Sequence, residues 1–344
     1  LLPRERVYSA LNYKNPDIIP LEYHPSPRGF YEHGEKLRQL FRENVGDFGI
    51  VNEAPIPVPE INSFDPDGSY HEFKEDEWGT VWEFRIFCMQ GHPVKWPLEN
   101  IEEIHEYIHP AQTIPAIGSQ KFFELKKSME LHKSKYFYKT GWIGILEKMH
   151  ALRRFEDVLM DIAMDTPEIN KLADMITEYH AEDIRRMIAL GVDAVQFGDD
   201  YGTQSSLLMR PELWRRFIKP RLARLMKPIK EAGIKVCFHS CGNINELLND
   251  LKEIGTDSIW PQLSVYDNDE LARHFRDIGL AVAIHIDRAN TMTHGSPDDV
   301  RKAVDEAVRI FKPELGGAWF YIEIDNGFPY ENIEALMSSI AKYR

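Results

Sequence analysis

In the stretch Lys235-Val236-Cys237-Phe238-His239-Ser240-Cys241-Gly242-Asn243, an apolar, β-branched run stops abruptly at His-x-Cys-Gly. Side chains two apart on a strand point the same way, so His239 and Cys241 leave the strand end side by side. An imidazole nitrogen next to a thiolate sulfur offers two of the donors that Zn²⁺ prefers. The plainer alternative is ordinary packing, since free cysteine is among the most buried residue types. The metal reading needs a third ligand. Glu323 and Asp325 share parity near the C-terminus, and either could supply a carboxylate for it. The alternative for Glu323 is a buried partner for an Arg or Lys. Asp199 reads as a cap for the turn that follows it. Asp200 reads as a cavity carboxylate available for proton work, with Tyr201 beside it.

The elements that must hold these residues repeat one unit. A strand at Asp193–Phe197 runs into Gly198-Asp199-Asp200, and the helical stretch Pro211–Glu231 leads through Gly233 to the strand ending at His239. Asn245–Ile254, Glu270–Ile278 and Pro297–Phe311 read as helices, and Asp257–Trp260, Ala281–Ile286 and Ala318–Ile324 as strands. Glycine after each helix followed by an apolar run is the β/α alternation of a parallel sheet. Upstream, Ile18–Tyr23, Asp47–Asn52 and Tyr136–Thr140 complete eight strands, which predicts an α/β fold, a (β/α)8 TIM barrel. A doubly wound sheet is the competitor, and no glycine-rich dinucleotide loop supports it. The chain is read as one domain, 1–344. An insertion over about 53–135 is expected to cover the barrel mouth, with a β-hairpin at Ser69–Trp96 turning near Glu77-Trp78-Gly79 after strand 2.

A barrel places its site where strands end. Those endings carry Glu22 and His24, Asn52 and Glu53, Thr140 and Trp142, Asp199 and Asp200, His239 and Cys241, Gln262, His285 and Asp287, and Glu323 and Asp325. Glu22, His24, Trp142, Gln204 and Asp287 are the expected substrate contacts, although Gln204 could equally close a turn. Tyr23, Trp142 and Trp260 could wall an apolar ring or simply pack. His285 and Asp287 could orient the ligands from behind.

Composition narrows the partners. The 344 residues are 43% hydrophobic and carry a net charge of −14, which argues against nucleic acid and polyanionic substrates. No apolar run is long enough to span a membrane, and Leu1–Arg6 lacks the apolar core of a signal peptide. Three cysteines (Cys88, Cys237, Cys241) are too few for a disulfide framework, so a cytoplasmic location is expected.

Several segments together resemble the uroporphyrinogen decarboxylase superfamily. They are Phe197-Gly198-Asp199-Asp200-Tyr201-Gly202-Thr203-Gln204-Ser205, Trp214–Leu222, His239-Ser240-Cys241-Gly242-Asn243-Ile244, Pro329–Leu336, and Asp76-Glu77-Trp78-Gly79-Thr80-Val81-Trp82. The resemblance implies one of two chemistries. One branch decarboxylates a porphyrinogen without cofactor, using an arginine-rich N-terminal segment. The other moves methyl groups to or from a corrinoid protein, using zinc on His-x-Cys and a distant third ligand, usually Cys. The matching N-terminal segment here is Pro20-Leu21-Glu22-Tyr23-His24-Pro25-Ser26-Pro27, whose carboxylate and missing arginines count against a polycarboxylate macrocycle. The methyltransferase branch fits His239 and Cys241, with Glu-Ile-Asp where the last Cys is usual.

The expectation is therefore a zinc-dependent methyltransferase of the O-demethylase type. It would take methyl from a small, methoxylated donor to the cobalt of cobalamin on a separate corrinoid protein, because no Asp-x-His-x-x-Gly cobalamin motif occurs in this chain. The runner-up is a decarboxylase of a small carboxylic acid. A homo-oligomer is compatible with either.

Overall fold

The computed structural model describes residues 1–49 and 55–344. Ten strands occur in it: β1 Leu21–Tyr23, β2 Glu72–Glu75, β3 Val81–Phe84, β4 His92–Lys95, β5 Lys139–Ile143, β6 Ala194–Gly198, β7 Lys235–Ser240, β8 Ser258–Pro261, β9 Ala281–Ile284 and β10 Ala318–Ile322. Seven of them form one parallel sheet in the order β1-β10-β9-β8-β7-β6-β5. The sheet curls until its two edges approach. Asp47 bridges them, its N–H donating to Leu21 O and its carbonyl accepting from Phe137 N.

Two expectations change here. Asp47–Asn52 was expected as strand 2, but Gly46–Gly49 forms a tight turn with its own bridge, and 50–54, including Asn52 and Glu53, lie outside the described residues. The sheet therefore shows seven parallel strands rather than eight among the described residues. The insertion is also more than a hairpin. β2, β3 and β4 make a three-stranded antiparallel meander, and Asp76–Thr80 forms the turn between the first two. It rests on the helix Leu146–Leu152, where Trp96 Nε1 donates to His150 O (3.0 Å) and Thr80 Oγ1 to Ala151 O (2.8 Å). Arg28, beyond β1, donates to Phe87 O (3.1 Å).

Strand alternation sorts the core into two sets. Val195, Val236, Phe238, Val282 and Phe320 pack outward with the helices. Ala194, Cys237, Ala281, Ala283, Trp319 and Tyr321 form a separate inner cluster with Phe137. Barrel interiors are usually filled by Val, Ile and Leu. Here four of the inward positions are Ala or Cys, and the rings of Phe137, Trp319 and Tyr321 pack against them. No helix among the described residues is long and apolar enough to cross a membrane.

Candidate metal centre and active site

The inward parity of Cys237 is shared by His239, which ends β7 with 7% of its surface exposed. Its Nδ1 lies 2.9 Å from the Trp260 carbonyl, which can only accept, so the ring proton sits on Nδ1. Nε2 then presents a lone pair. It faces Cys241 Sγ at 3.4 Å and Asp200 Oδ1 at 3.5 Å. The three donor atoms lie within 4.8 Å of one another. Ligands on a tetrahedral zinc at ordinary bond lengths sit roughly 3.3–3.8 Å apart, so the His239 distances suit such an ion. Burial holds the His239 imidazole neutral, with its pKa lowered to about 4. Burial, reinforced by Asp200, pushes the Cys241 thiol up to about 12. No Lys or Arg forms an ion pair with Asp200 among the described residues. A neutral imidazole, a thiol and an unneutralised carboxylate facing one point fit a divalent cation, whose charge reverses the cost of ionising the thiol.

The expected third ligands sit elsewhere. Asp325 pairs with Arg288 at 2.7 Å, and Glu323 lies 3.4 Å from the same guanidinium and 3.4 Å from His24 Nδ1. One guanidinium thus contacts both carboxylates, the arginine partner weighed for Glu323 as its alternative. Asp200 stands in the metal group instead. Burial raises the Glu323 carboxyl to about 7, opposed by Arg288. Between the unfolded value near 4.5 and 7 the folded chain therefore holds a proton that the unfolded chain has lost. Stability is expected to fall as pH rises through that window. Glu323→Gln should abolish this component of the slope in denaturant titrations of metal-free protein, and an unchanged slope would disprove it.

Asp199 and Tyr201 are structural. Asp199 is fully buried and accepts from Ile145 N (2.9 Å), Leu146 N (2.8 Å), Glu147 N (2.6 Å) and Tyr201 OH (2.7 Å). Tyr201, expected as a proton donor, is 1% exposed and gives its hydroxyl to Asp199. Both residues carry the outward parity of Val195 and Phe197, whereas Asp200 keeps the inward parity of Ala194 and reaches the site.

Trp142 reaches the site through a distortion. Register shifts between Thr140 and Ile143, and Gly141 takes φ +93°, a bulge that re-aims the indole. The ring lies over Gly198, where a β-carbon would come within 2.2 Å of it. His239 is thus flanked by Trp142 and Trp260, with ring centroids 5.7 and 3.9 Å away. Trp260 Nε1 donates to His285 Nδ1 (3.2 Å), so His285 steadies the residue whose carbonyl holds His239. Asp287 caps the helical turn Arg288–Met292 and borders a cavity of about 160 Å³ that also touches His239, Cys241 and Arg288. Gln204 Oε1 lies 3.5 Å from Gln262 Nε2, and Gln262 accepts from Gly242 N (3.0 Å). A second cavity of about 350 Å³ is lined by Glu22, His24, Lys139, Trp142, Trp260 and Tyr321, among others. A larger hollow, about 880 Å³, lies away from these strand ends between the meander and Arg154–Asp157.

Sequence reasoning missed Glu147, Lys139 and Arg288. Glu147 accepts from Trp142 Nε1 (3.2 Å) and from the Asp200 backbone N–H, and burial, then Asp199 and Asp200, raises its carboxyl to about 8. Its place in the first turn after β5 was the available signal.

The family profile described as Uroporphyrinogen decarboxylase (URO-D) matches residues 146–343. Methylcobamide:CoM methyltransferase MtaA of Methanosarcina barkeri is 23% identical over 174 residues, 49% of this chain and 48% of that protein. Uroporphyrinogen decarboxylase of Thermus thermophilus is 32% identical over 88 residues, 26% of this chain and 24% of that protein. The chain thus spans about half the length of the first of these curated relatives and about a quarter of the second. Among solved structures, a methyltransferase from Methanosarcina mazei superposes over 100% of this chain and 99% of its own, with TM-score 0.66 and 15% identity, and so shares the fold. The profile match covers more than half of the residues and includes every strand from β6 onward, so the chain belongs to the uroporphyrinogen decarboxylase (URO-D) family.

Proposed function

We propose that this chain is a zinc-dependent methyltransferase that moves a methyl group from a small methoxylated donor to the cobalt of a separate corrinoid protein. The observation that carries the proposal is the convergence of Asp200, His239 and Cys241 at the ends of β6 and β7. The partial likeness to a methylcobamide-dependent methyltransferase supports it.

Asp200, His239 and Cys241 would hold the ion. When bound, zinc supplies Lewis acidity toward the donor oxygen and favours the ionised thiol. The rest falls to the protein. A methyl ether resists cleavage because its alkoxide or phenoxide leaves poorly, so the departing oxygen needs a proton or a positive charge. Glu147, beside Asp200 and under the Trp142 indole, keeps its proton at neutral pH and is the acid placed to give it. Trp142 and Trp260 exclude water from one side of His239. The meander, seated on the helix after β5 and held by Arg28 beyond β1, covers part of the mouth, with the remaining opening left for the corrinoid partner.

The test is transfer of methyl from methoxylated donors to cob(I)alamin, followed by its visible spectrum. Wild type should methylate it with release of the free hydroxyl compound. Glu147→Gln should lower kcat by about 100-fold, within the usual range for a general acid, with little change in zinc content. Carbon dioxide release from a carboxylic acid, with no methylation, would replace the proposal by the decarboxylase reading.

A further inference from the structure

The cavity of about 350 Å³ has an unusual composition for a barrel interior. It lies between the two edges of the sheet, lined by Glu22 and His24 from the β1 side, Lys139 and Trp142 from β5, and Trp260 and Tyr321 across the interior. Its walls are aromatic: Trp260 lies against Tyr321 at a tilt of 36° with centroids 4.3 Å apart, and Trp142 closes the side next to His239. An aromatic box of this kind ordinarily suits a quaternary ammonium. Here it already contains a cation, because the Lys139 ammonium lies 5.6 Å from the Phe48 centroid and 5.8 Å from that of Tyr321.

The hydrogen-bond inventory defines what the cavity lacks. Glu22 is buried and both of its oxygens are used, Oε1 by Lys139 and Oε2 by Trp319 Nε1 at 3.0 Å. Lys139 has three N–H donors, and Glu22 is its one acceptor among the described residues. Two donors on a largely buried ammonium are left for whatever enters. The chamber therefore offers Lys139 donors beside aromatic walls, and each Glu22 oxygen is already engaged by one donor.

We propose that this chamber binds an aromatic carboxylate, its ring between Trp142, Trp260 and Tyr321 and its carboxylate on the Lys139 ammonium. The volume holds one substituted ring, and the Trp142–Trp260 end of the chamber adjoins His239. As the identity of the methyl donor, this rests on the methyltransferase proposal; as a binding site it does not.

Trp142 and Trp260 report occupancy through their fluorescence. Titration of the full chain should show benzoate binding about tenfold more tightly than anisole, the worth of a charge-assisted hydrogen bond, with phenyltrimethylammonium weakest. Replacing both partners, Lys139→Met with Glu22→Gln, removes the charges without stranding either. That variant should lose the benzoate preference and keep anisole affinity. Equal affinity for benzoate and anisole in wild type would overturn the proposal, as would phenyltrimethylammonium binding most tightly. If the double variant fails to melt cooperatively, the wild-type order alone decides. A chain that prefers benzoate yet never methylates cob(I)alamin keeps the chamber and loses methyl transfer; the opposite result loses the carboxylate and keeps methyl transfer.

Discussion

Replacing Cys241 or His239 by alanine is expected to cut bound zinc from about one ion per chain to below about a tenth, measured by plasma mass spectrometry after purification without chelator. Each change removes one of three converging donors, and no other His or Cys stands in the group among the described residues. Losing a ligand should cost more than the 10- to 100-fold in affinity typical of disturbing a group behind a ligand. Asp200→Asn should also weaken zinc, because an amide oxygen brings no charge to offset the ion. Glu323→Gln and Asp325→Asn should retain it, since Arg288 already engages both carboxylates. The reverse pattern, zinc lost in Glu323→Gln and kept in Asp200→Asn, would return the third ligand to the last strand. Wild type without zinc, and unresponsive to added zinc, would remove the metal altogether.

The contrast between Asp200 and Glu323 marks how far sequence could lead. Alternation along β7 was enough to put His239 and Cys241 together, and alternation near β10 correctly put Glu323 and Asp325 on one side. What those carboxylates face depends on Arg288, which projects from a helical turn after β9 that no periodicity announces. Tyr201 was offered only for its nearness to Asp200, and it carries the outward parity of Val195 and Phe197, so its hydroxyl meets Asp199 instead. The first half of the barrel was harder to read. Tyr136–Thr140 is apolar and looks like strand, yet pairing begins at Lys139 and runs through a glycine bulge that local propensity does not encode. Lys139 then reads as an ordinary surface lysine. Its burial against Glu22 is visible only when β1 and β5, more than a hundred residues apart, face the same interior.

Two adjacent aspartates give the sharpest separation of fold from function. Asp199→Ala is expected to destabilise the metal-free chain by about 4 kcal/mol, because three backbone N–H groups and the Tyr201 hydroxyl lose their acceptor at about 1–3 kcal/mol for each one left buried. These bonds tie the start of the Leu146–Leu152 helix to the end of β6, so the loss should loosen Glu147 and Trp142 together. Asp199→Asn keeps an oxygen that can serve part of the set and should cost roughly half as much. Asp200→Ala, with 40% of its side chain exposed and a bond to the Cys241 N–H at 2.6 Å, should shift stability by only about 1 kcal/mol while weakening zinc strongly. Urea denaturation of chelator-treated protein measures the first effect free of the stabilisation that bound metal would add. If the two alanine variants unfold at the same urea concentration, Asp199 is not the anchor of this loop. If they do so while Asp200→Ala still binds zinc fully, neither aspartate has the role its hydrogen bonds assign it.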